Sequence, residues 1–283
     1  MYPALLIKSL DTASQIILGL FLFVLLIIML NYSFKMIELV YVLKKRKPFY
    51  VHFYFVLKKL HPKQQAILKS KFKFYNSLSP RYQRYFEHRV ATFIKDKTFI
   101  AREGAEVNNE VKVLLSATAV MLTFGFRDYY IGLIDKILIY PKPFYSQSNQ
   151  EYHKGEFNPQ LKTLVISWQD FLQGFNVSND NVNLGVHEFA HAIHLNSIKE
   201  RDVSATIFSD SFRELTELLT ASAALRKDLL ESKYFRNYAY TNQYEFVAVL
   251  IETFIETPQE FKAQFPQVYS KTKQMLNFNF GTY

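Results

Sequence analysis

The sequence predicts an α+β protein, mostly helical with a small sheet, preceded by one N-terminal transmembrane helix. Three observations lead to this prediction: an uncharged apolar stretch near the N-terminus, several later segments in which apolar residues recur every three or four positions, and two short runs rich in β-branched residues. A hydrophobic share of 49% with 21% charged residues is typical of a folded chain rather than a disordered one.

The transmembrane helix is predicted at about residues 13–32, which carry no formal charge. About 20 helical residues cross the hydrocarbon core of a bilayer. A cleavable signal peptide fits less well, because the apolar stretch is longer and runs on into further apolar residues. A buried core helix is also disfavoured, because soluble helices rarely stay apolar on every face. Lys35 and residues 44–47 follow the span, whereas Lys8 precedes it, so we expect a single-pass protein of a bacterial inner membrane whose C-terminal bulk is cytoplasmic.

The net charge of +9 is concentrated directly after this span, in residues 44–73. An anionic membrane surface is the nearest polyanion there, so nucleic acid is not an expected partner, and a basic membrane-surface or nucleic-acid module is the least favoured function. The chain has no cysteine, which excludes disulfides, cysteine metal ligands and a thiol nucleophile. Any metal ion must therefore be bound by histidine and carboxylate side chains.

Three regions are predicted along the chain. Residues 1–34 hold the transmembrane helix, residues 35–74 form a basic juxtamembrane connector, and residues 75–283 form the main domain. The connector mixes lysine with aromatic residues without a clear period, which is typical of a linker or of short helices lying near the membrane surface.

The main domain begins with a helix whose start is marked by Ser79 and Pro80. A nearly all-apolar segment at residues 109–124 is too short for a confident second span and is predicted to be a buried helix at the centre of the domain. Short strands at residues 136–140 and 164–168 are expected to form a small sheet. Further helices are predicted at residues 181–196, 208–230, 242–256 and 259–276.

The motif that carries chemistry is His187-Glu188-Phe189-Ala190-His191. Positions i and i+4 of a helix share a face, so His187 and His191 can bind one zinc ion, with Glu188 beside the open coordination position. Zinc lowers the pKa of a bound water to near neutrality, and an adjacent carboxylate can take its proton and pass it to the leaving amine. The alternative is a pair of histidines bonded only to neighbouring side chains. The start of the helix has three candidate caps: Asn179, Asp180 and Asn181.

The third zinc ligand is not set by the motif itself. A metzincin would require glycine at position 194 and histidine at position 197, where this chain has His194 and Ser197, so that class is excluded. His194 lies almost one turn beyond His191, which predicts a packing or supporting role rather than ligation. The ligand is therefore expected from another helix.

The predicted helix at residues 242–256 offers three carboxylates in an apolar run, those of Glu245, Glu252 and Glu256. Buried carboxylates are costly without a partner, so one of them is expected to meet the metal. Glu245 and Glu252 are seven residues apart and share a helix face, so spacing ranks them equally.

Six segments are similar to one known family and occur in its order: residues 78–94, 117–126, 137–144, 165–174, 181–193 and 238–254. Together they resemble the zinc-dependent peptidases related to the Mlc titration factor, and the active-site helices also resemble the catalytic domain of anthrax lethal factor. The similarity extends well beyond the five-residue motif. It implies a zincin-like metallopeptidase domain that binds one zinc ion. An N-terminal membrane span is not general to that family.

The resemblance also implies roles for further residues. The family's third ligand opens the helix that corresponds to residues 242–256, which matches Glu245, and Glu252 then supports the site. A tyrosine seven residues earlier matches Tyr238, whose hydroxyl could donate to the oxyanion of the tetrahedral intermediate; the alternative is an ordinary buried tyrosine. The strand at residues 165–168 is expected to border the cleft, where an extended peptide could pair with it.

These observations favour a membrane-anchored zinc metallopeptidase that hydrolyses peptide bonds, with aminopeptidase action on short peptides as the narrower expectation. The alternative is a zinc-containing regulatory or adaptor protein that binds a partner protein with little proteolysis. Glu188 argues against a purely structural zinc site, which needs no base. The expected partners are a peptide or protein substrate, the membrane and a regulatory protein.

Overall fold

The computed structural model describes residues 11–146, 150–177 and 179–280. The chain forms two compact units, one ending at Phe49 and one beginning at Tyr50. The first contains helix α1 (Thr12–Lys45), which is long and apolar enough to cross a membrane by length and composition. It continues 13 residues beyond the predicted span, because residues 33–45 contain neither proline nor glycine, and Arg46 ends it in a left-handed conformation.

The second unit is mostly helical, with a small sheet, as predicted. Its helices are α2 (Pro62–Lys71), α3 (Lys73–Ser77), α4 (Pro80–Asp96), α5 (Asn109–Leu122), α6 (Trp168–Asn176), α7 (Leu184–Lys199), α8 (Val203–Ala221), α9 (Ala223–Glu231), α10 (Gln243–Glu256), α11 (Pro258–Gln264) and α12 (Pro266–Met275). A 3₁₀ helix spans Asn237–Tyr240. Its strands are β1 (Thr98–Ala101), β2 (Lys136–Tyr140), β3 (Phe144–Ser146), β4 (Glu151–His153), β5 (Gly155–Asn158) and β6 (Thr163–Ser167).

The main sheet has the strand order β1-β2-β6-β5. Strands β1, β2 and β6 are parallel, whereas β5 pairs antiparallel with β6 and forms the edge. Strands β3 and β4 form a separate antiparallel hairpin. The strand predicted at residues 164–168 lies one residue earlier in the structure, at Thr163–Ser167, because Ser167 caps α6 and Trp168 is already helical.

The core is built around α5, as predicted: every residue from Val113 to Leu122 is buried. Helices α2, α4 and α7 pack against it, and α10 packs against α7. The latter half of the predicted connector also contributes, since Leu68 and Phe72 are buried in the same cluster. Helices α2 and α3 of the predicted connector therefore belong to the packed second unit. Their apolar residues pack inward.

Several helix boundaries differ from the predictions because polar or proline residues interrupt the apolar period. The segment at residues 208–230 belongs to α8 and α9, which are separated at Ser222, whose hydroxyl accepts a hydrogen bond from the backbone N–H of Leu225 at 3.2 Å. The segment at residues 259–276 belongs to α11 and α12, because Pro266 cannot donate a helical hydrogen bond.

Candidate metal centre

Helix α7, which carries both motif histidines, begins at Leu184 and is capped by Asn183. The Asn183 side chain accepts a hydrogen bond from the N–H of Val186 at 3.0 Å and donates to Glu256 Oε1 at 3.0 Å. The three predicted caps, Asn179, Asp180 and Asn181, were therefore wrong. Asn181 has a φ of 55°, so the chain turns there instead of entering the helix.

The structure brings His187, His191 and Glu245 together, the last from the first turn of α10. The two Nε2 atoms lie 3.0 Å apart, and Glu245 Oε2 lies 3.1 Å from His187 Nε2 and 3.5 Å from His191 Nε2. Helices α7 and α10 pack directly against each other, which places the carboxylate opposite the two rings.

These distances fit a tetrahedral metal ion. Ligand atoms placed tetrahedrally at about 2.0 Å from zinc lie about 3.3 Å apart. Oε2 of Glu245 is buried and has no hydrogen-bond partner among the described residues, although two ring nitrogens face it. A buried carboxylate oxygen without such a bond is costly, and a shared cation would satisfy it together with both histidines.

The other nitrogen of His187 is held by a second carboxylate. His187 Nδ1 lies 3.2 Å from Glu252 Oε2, so the ring donates its proton there and directs Nε2 toward Glu245. Glu252 is almost completely buried; it also accepts hydrogen bonds from the Asn183 N–H at 3.0 Å and from the Arg236 guanidinium. This network joins α10, the start of α7 and the chain before the 3₁₀ helix.

The electrostatics of the ligand group are strongly negative. Burial disfavours the charged form of His187, but the carboxylates of Glu245 and Glu252 outweigh it and raise the pKa of the ring to about 10. Burial tends to raise the pKa of Glu245, yet the two histidines beside it hold that pKa well below its usual range. Positive charge is therefore favoured at this point.

Glu188 is buried beside the group, against strand β5. Burial raises its pKa above the ordinary value for a glutamate, and the neighbouring His187 and His191 partly offset this shift. A Cβ atom on Gly155 would lie 2.5 Å from Glu188 Oε1, so only glycine allows the strand to approach the carboxylate this closely.

Tyr238 lies in the 3₁₀ helix at the mouth of the site and is half exposed. Its ring centroid is 6.0 Å from that of His187. Partial burial and the nearby carboxylate of Glu245 raise the pKa of Tyr238 to about 12, so the hydroxyl is protonated at neutral pH and can act as a donor.

His194 lies outside the ligand group. Its ring packs against Phe208, Phe212 and Tyr244, with centroids 5.8, 4.8 and 5.1 Å away, and burial lowers its pKa to about 4. The position agrees with the predicted packing role.

A cleft of about 300 Å³ opens beside the metal ligands. Strand β5, not the predicted strand at residues 165–168, is the sheet edge at this cleft, because β6 is paired on both sides. The Lys154–Asp170 ion pair, 2.9 Å long, lies on its wall. The cleft is lined by Tyr152, His153, Lys154, Gly155, Asp170, Gln173, Gly174, Asp180, Val182, Leu184, His187, Glu188, Arg236, Tyr238 and Glu252.

Sequence reasoning missed Gly155, Asn183 and Arg236. Gly155 and Arg236 act through partners that are distant in sequence, so no local spacing marks them, whereas Asn183 was placed inside the predicted helix at residues 181–196 and not at its cap. The one available signal was Arg236, a lone charge in the aromatic stretch before Tyr238. Glycine in the polar loop before β6 gave no indication that it faces the motif.

Two histidines and a glutamate converging from two packed helices, with a buried glutamate beside them, define a metallopeptidase-type site. The chain belongs to the glucose-regulated metallopeptidase family M90, whose sequence profile matches residues 52–277.

Individual relatives support this assignment. The chain is 25% identical to an uncharacterized protein of Synechocystis over 74% of its own length and 82% of the relative's. It is 25% identical to Mlc titration factor A of Klebsiella pneumoniae over 69% of its length and 78% of the relative's, and 24% identical to Mlc titration factor A of Salmonella agona over 63% and 72%.

Proposed function

We propose that this protein is a zinc-dependent, zincin-like peptidase anchored in a bacterial inner membrane by α1. The observation that carries the proposal is the convergence of His187 Nε2, His191 Nε2 and Glu245 Oε2 at distances of 3.0–3.5 Å, with Glu188 buried beside them. Imidazole and carboxylate ligands in a tetrahedral arrangement suit zinc.

His187, His191 and Glu245 would hold the ion, which would supply Lewis acidity toward a water molecule and the substrate carbonyl. Glu188 takes the proton of the attacking water and returns it to the leaving amine. Its burial supports this role, because a carboxylate whose pKa lies above the ordinary value is a better base near neutral pH.

Tyr238 donates its hydroxyl proton as a hydrogen bond to the oxygen that becomes negative when the carbonyl is attacked. Its protonated state at neutral pH and its place at the mouth of the site support that role. An extended peptide would pair with the outer edge of β5, which has no strand partner on that side within the described part of the chain.

The narrower proposal is aminopeptidase action on short peptides. The cleft is small, and the carboxylate of Asp180 on its wall would attract a free α-amine. Comparison of a free and an N-acetylated peptide of the same sequence tests it: blocked hydrolysis of the acetylated peptide is expected, and equal rates would show endopeptidase action.

The test of the main proposal is zinc content and peptide hydrolysis of the full chain. Glu188→Gln should retain stoichiometric zinc and lose turnover, whereas Glu245→Ala should lose zinc. His194→Gln is the matched control, since it removes a buried histidine of the same helix that lies outside the ligand group; it should keep both properties. Absence of zinc from the unsubstituted chain would refute the proposal.

A second candidate is a zinc-containing regulatory or adaptor protein that binds a partner with little proteolysis. It is favoured by the relatives named Mlc titration factor A, a name that refers to titration of Mlc. Stoichiometric zinc without hydrolysis of any member of a diverse peptide library would support this function over the peptidase.

The proposed cytoplasmic position of the second unit rests on the lysines that follow α1. Because the chain has no cysteine, Leu161→Cys would introduce a single thiol at an exposed position. A membrane-impermeant maleimide should label it only after cell lysis. Labelling in spheroplasts with an intact inner membrane would show that the second unit lies on the periplasmic side and would refute the proposed orientation.

A further inference from the structure

An exposed apolar surface is formed by Phe53, Phe55 and Val56, in the irregular segment at the start of the second unit. Their exposed fractions are 64%, 92% and 80%. The rings of Phe53 and Phe55 meet edge to face with centroids 5.0 Å apart. Large apolar side chains that stand together and almost entirely in solvent mark a binding surface more often than isolated ones do.

The surface is held in place by the residues that alternate with it. The His52 ring stacks on Tyr85 at 5.0 Å and lies 4.6 Å from Phe124. The Tyr54 hydroxyl accepts a hydrogen bond from Arg89 Nε at 2.6 Å. Because these two side chains point into the folded unit, the side chains between and after them are directed outward.

Arg89 strengthens this attachment. Its guanidinium is buried and donates to the carbonyl oxygens of Val51 at 3.2 Å, Thr123 at 2.8 Å and Phe126 at 2.8 Å. The apolar segment is thus fixed to the end of α5 rather than free to fold its rings inward. Burial of the rings in this unit would require breaking that network.

Charge and chain connectivity indicate what covers the surface. Lys58 and Lys59 follow it immediately and are exposed. Phe53 lies eight residues after Lys45, the last residue of α1, so the chain between them spans no more than about 29 Å. Aromatic side chains flanked by lysines a short distance from an apolar span match the interface of an anionic bilayer.

We propose that Phe53, Phe55 and Val56 insert into the headgroup region of an anionic membrane and form a second attachment in addition to the span. Lys58 and Lys59 pair with lipid phosphates at its border. The proposal uses the assignment of α1 as a transmembrane helix but does not depend on peptide hydrolysis. It implies that the membrane fixes the orientation of the second unit rather than only its proximity.

The test places Phe55→Trp in the full chain, reconstituted at one copy per nanodisc made of equal parts phosphatidylcholine and phosphatidylglycerol. Because interfacial apolar side chains reach about 5–10 Å into the headgroup and acyl boundary, lipids brominated near the headgroup should strongly quench the added indole fluorescence. Lipids brominated deep in the acyl chain should quench it much less. The unsubstituted chain corrects for Trp168. Leu161→Trp is the control, because it places an indole at an exposed apolar position elsewhere on the unit; it should not be quenched.

The possible outcomes separate the assignments. Incorporation into discs without quenching at position 55 overturns the surface proposal, as does equal quenching at position 161. Loss of quenching in discs of phosphatidylcholine alone supports the role of the lysines. Failure of the chain to enter discs overturns both this proposal and the assignment of the span. None of these outcomes bears on zinc binding or peptide hydrolysis.

Discussion

Replacement of Gly155 by alanine tests whether strand β5 positions Glu188, the proposed catalytic base. The added methyl group would lie 2.5 Å from Oε1 of Glu188 and 2.7 Å from its Cδ and Cγ atoms. Gly155 has a negative φ and lies in a strand, so alanine introduces no backbone strain there. The substitution therefore acts on Glu188 rather than on the fold.

The magnitude follows from the geometry. An ordinary contact between a carbon and these atoms requires about 3.4 Å or more, so the carboxylate must move by about 1 Å. A displacement of this size in a reacting group can cost on the order of a hundredfold in rate. The three atoms nearest to the new methyl group all belong to Glu188 and not to the proposed metal ligands, so zinc content should not change.

The assay compares kcat and zinc stoichiometry for Gly155→Ala and for Gly132→Ala. At Gly132 a Cβ would meet its nearest neighbours at 3.7 and 3.8 Å, which is ordinary contact, and the control variant should turn over normally. A fall in kcat of about a hundredfold with full zinc is expected for Gly155→Ala. Unchanged kcat would refute the claim that β5 sets the position of Glu188 or that Glu188 is the base.

Three further predictions concern the surroundings of the site and the core. Glu252→Gln should weaken zinc binding about 10- to 100-fold, because it removes the charge that accepts the His187 Nδ1 proton; competition with a chromogenic chelator measures this, and unchanged affinity contradicts it. Tyr238→Phe should lower kcat about 10²- to 10³-fold at full zinc content; a change in KM alone would assign the hydroxyl to substrate binding. Arg89→Met should reduce the free energy of unfolding by about 3 kcal/mol or more, since it leaves buried carbonyls unpaired; equal stability in urea titration would show that water replaces the guanidinium.

The parts of the site that could be predicted from the sequence are those set by local geometry. His187 and His191 share a helix face whatever the rest of the chain does, and the neighbouring apolar residues indicate which way that face turns. The buried helix α5 and the paired strands β2 and β6 were also predictable from local sequence, because each is a continuous apolar segment.

Whether Glu245 or Glu252 is the expected metal ligand depends on how α10 crosses α7. The spacing of residues along one helix carries no information about that crossing. In the structure both carboxylates face His187, one at each ring nitrogen. Equal ranking by spacing therefore reflected a real similarity of position. Only the identity of the nitrogen separates a ligand from a supporting residue, and the resemblance to a known family was needed to assign Glu245 from sequence.

The charges around His187, His191 and Glu245 favour a bound cation. Glu188, Glu245 and Glu252 bring three carboxylates to the two histidines, and Arg236 supplies one positive charge. With neutral histidines the sum is −2, which a divalent cation balances. The raised pKa of His187 reflects the same excess, because a proton on the ring offsets part of it. A metal ion bound through Nε2 of His187 would displace that proton, so acidification should weaken metal binding.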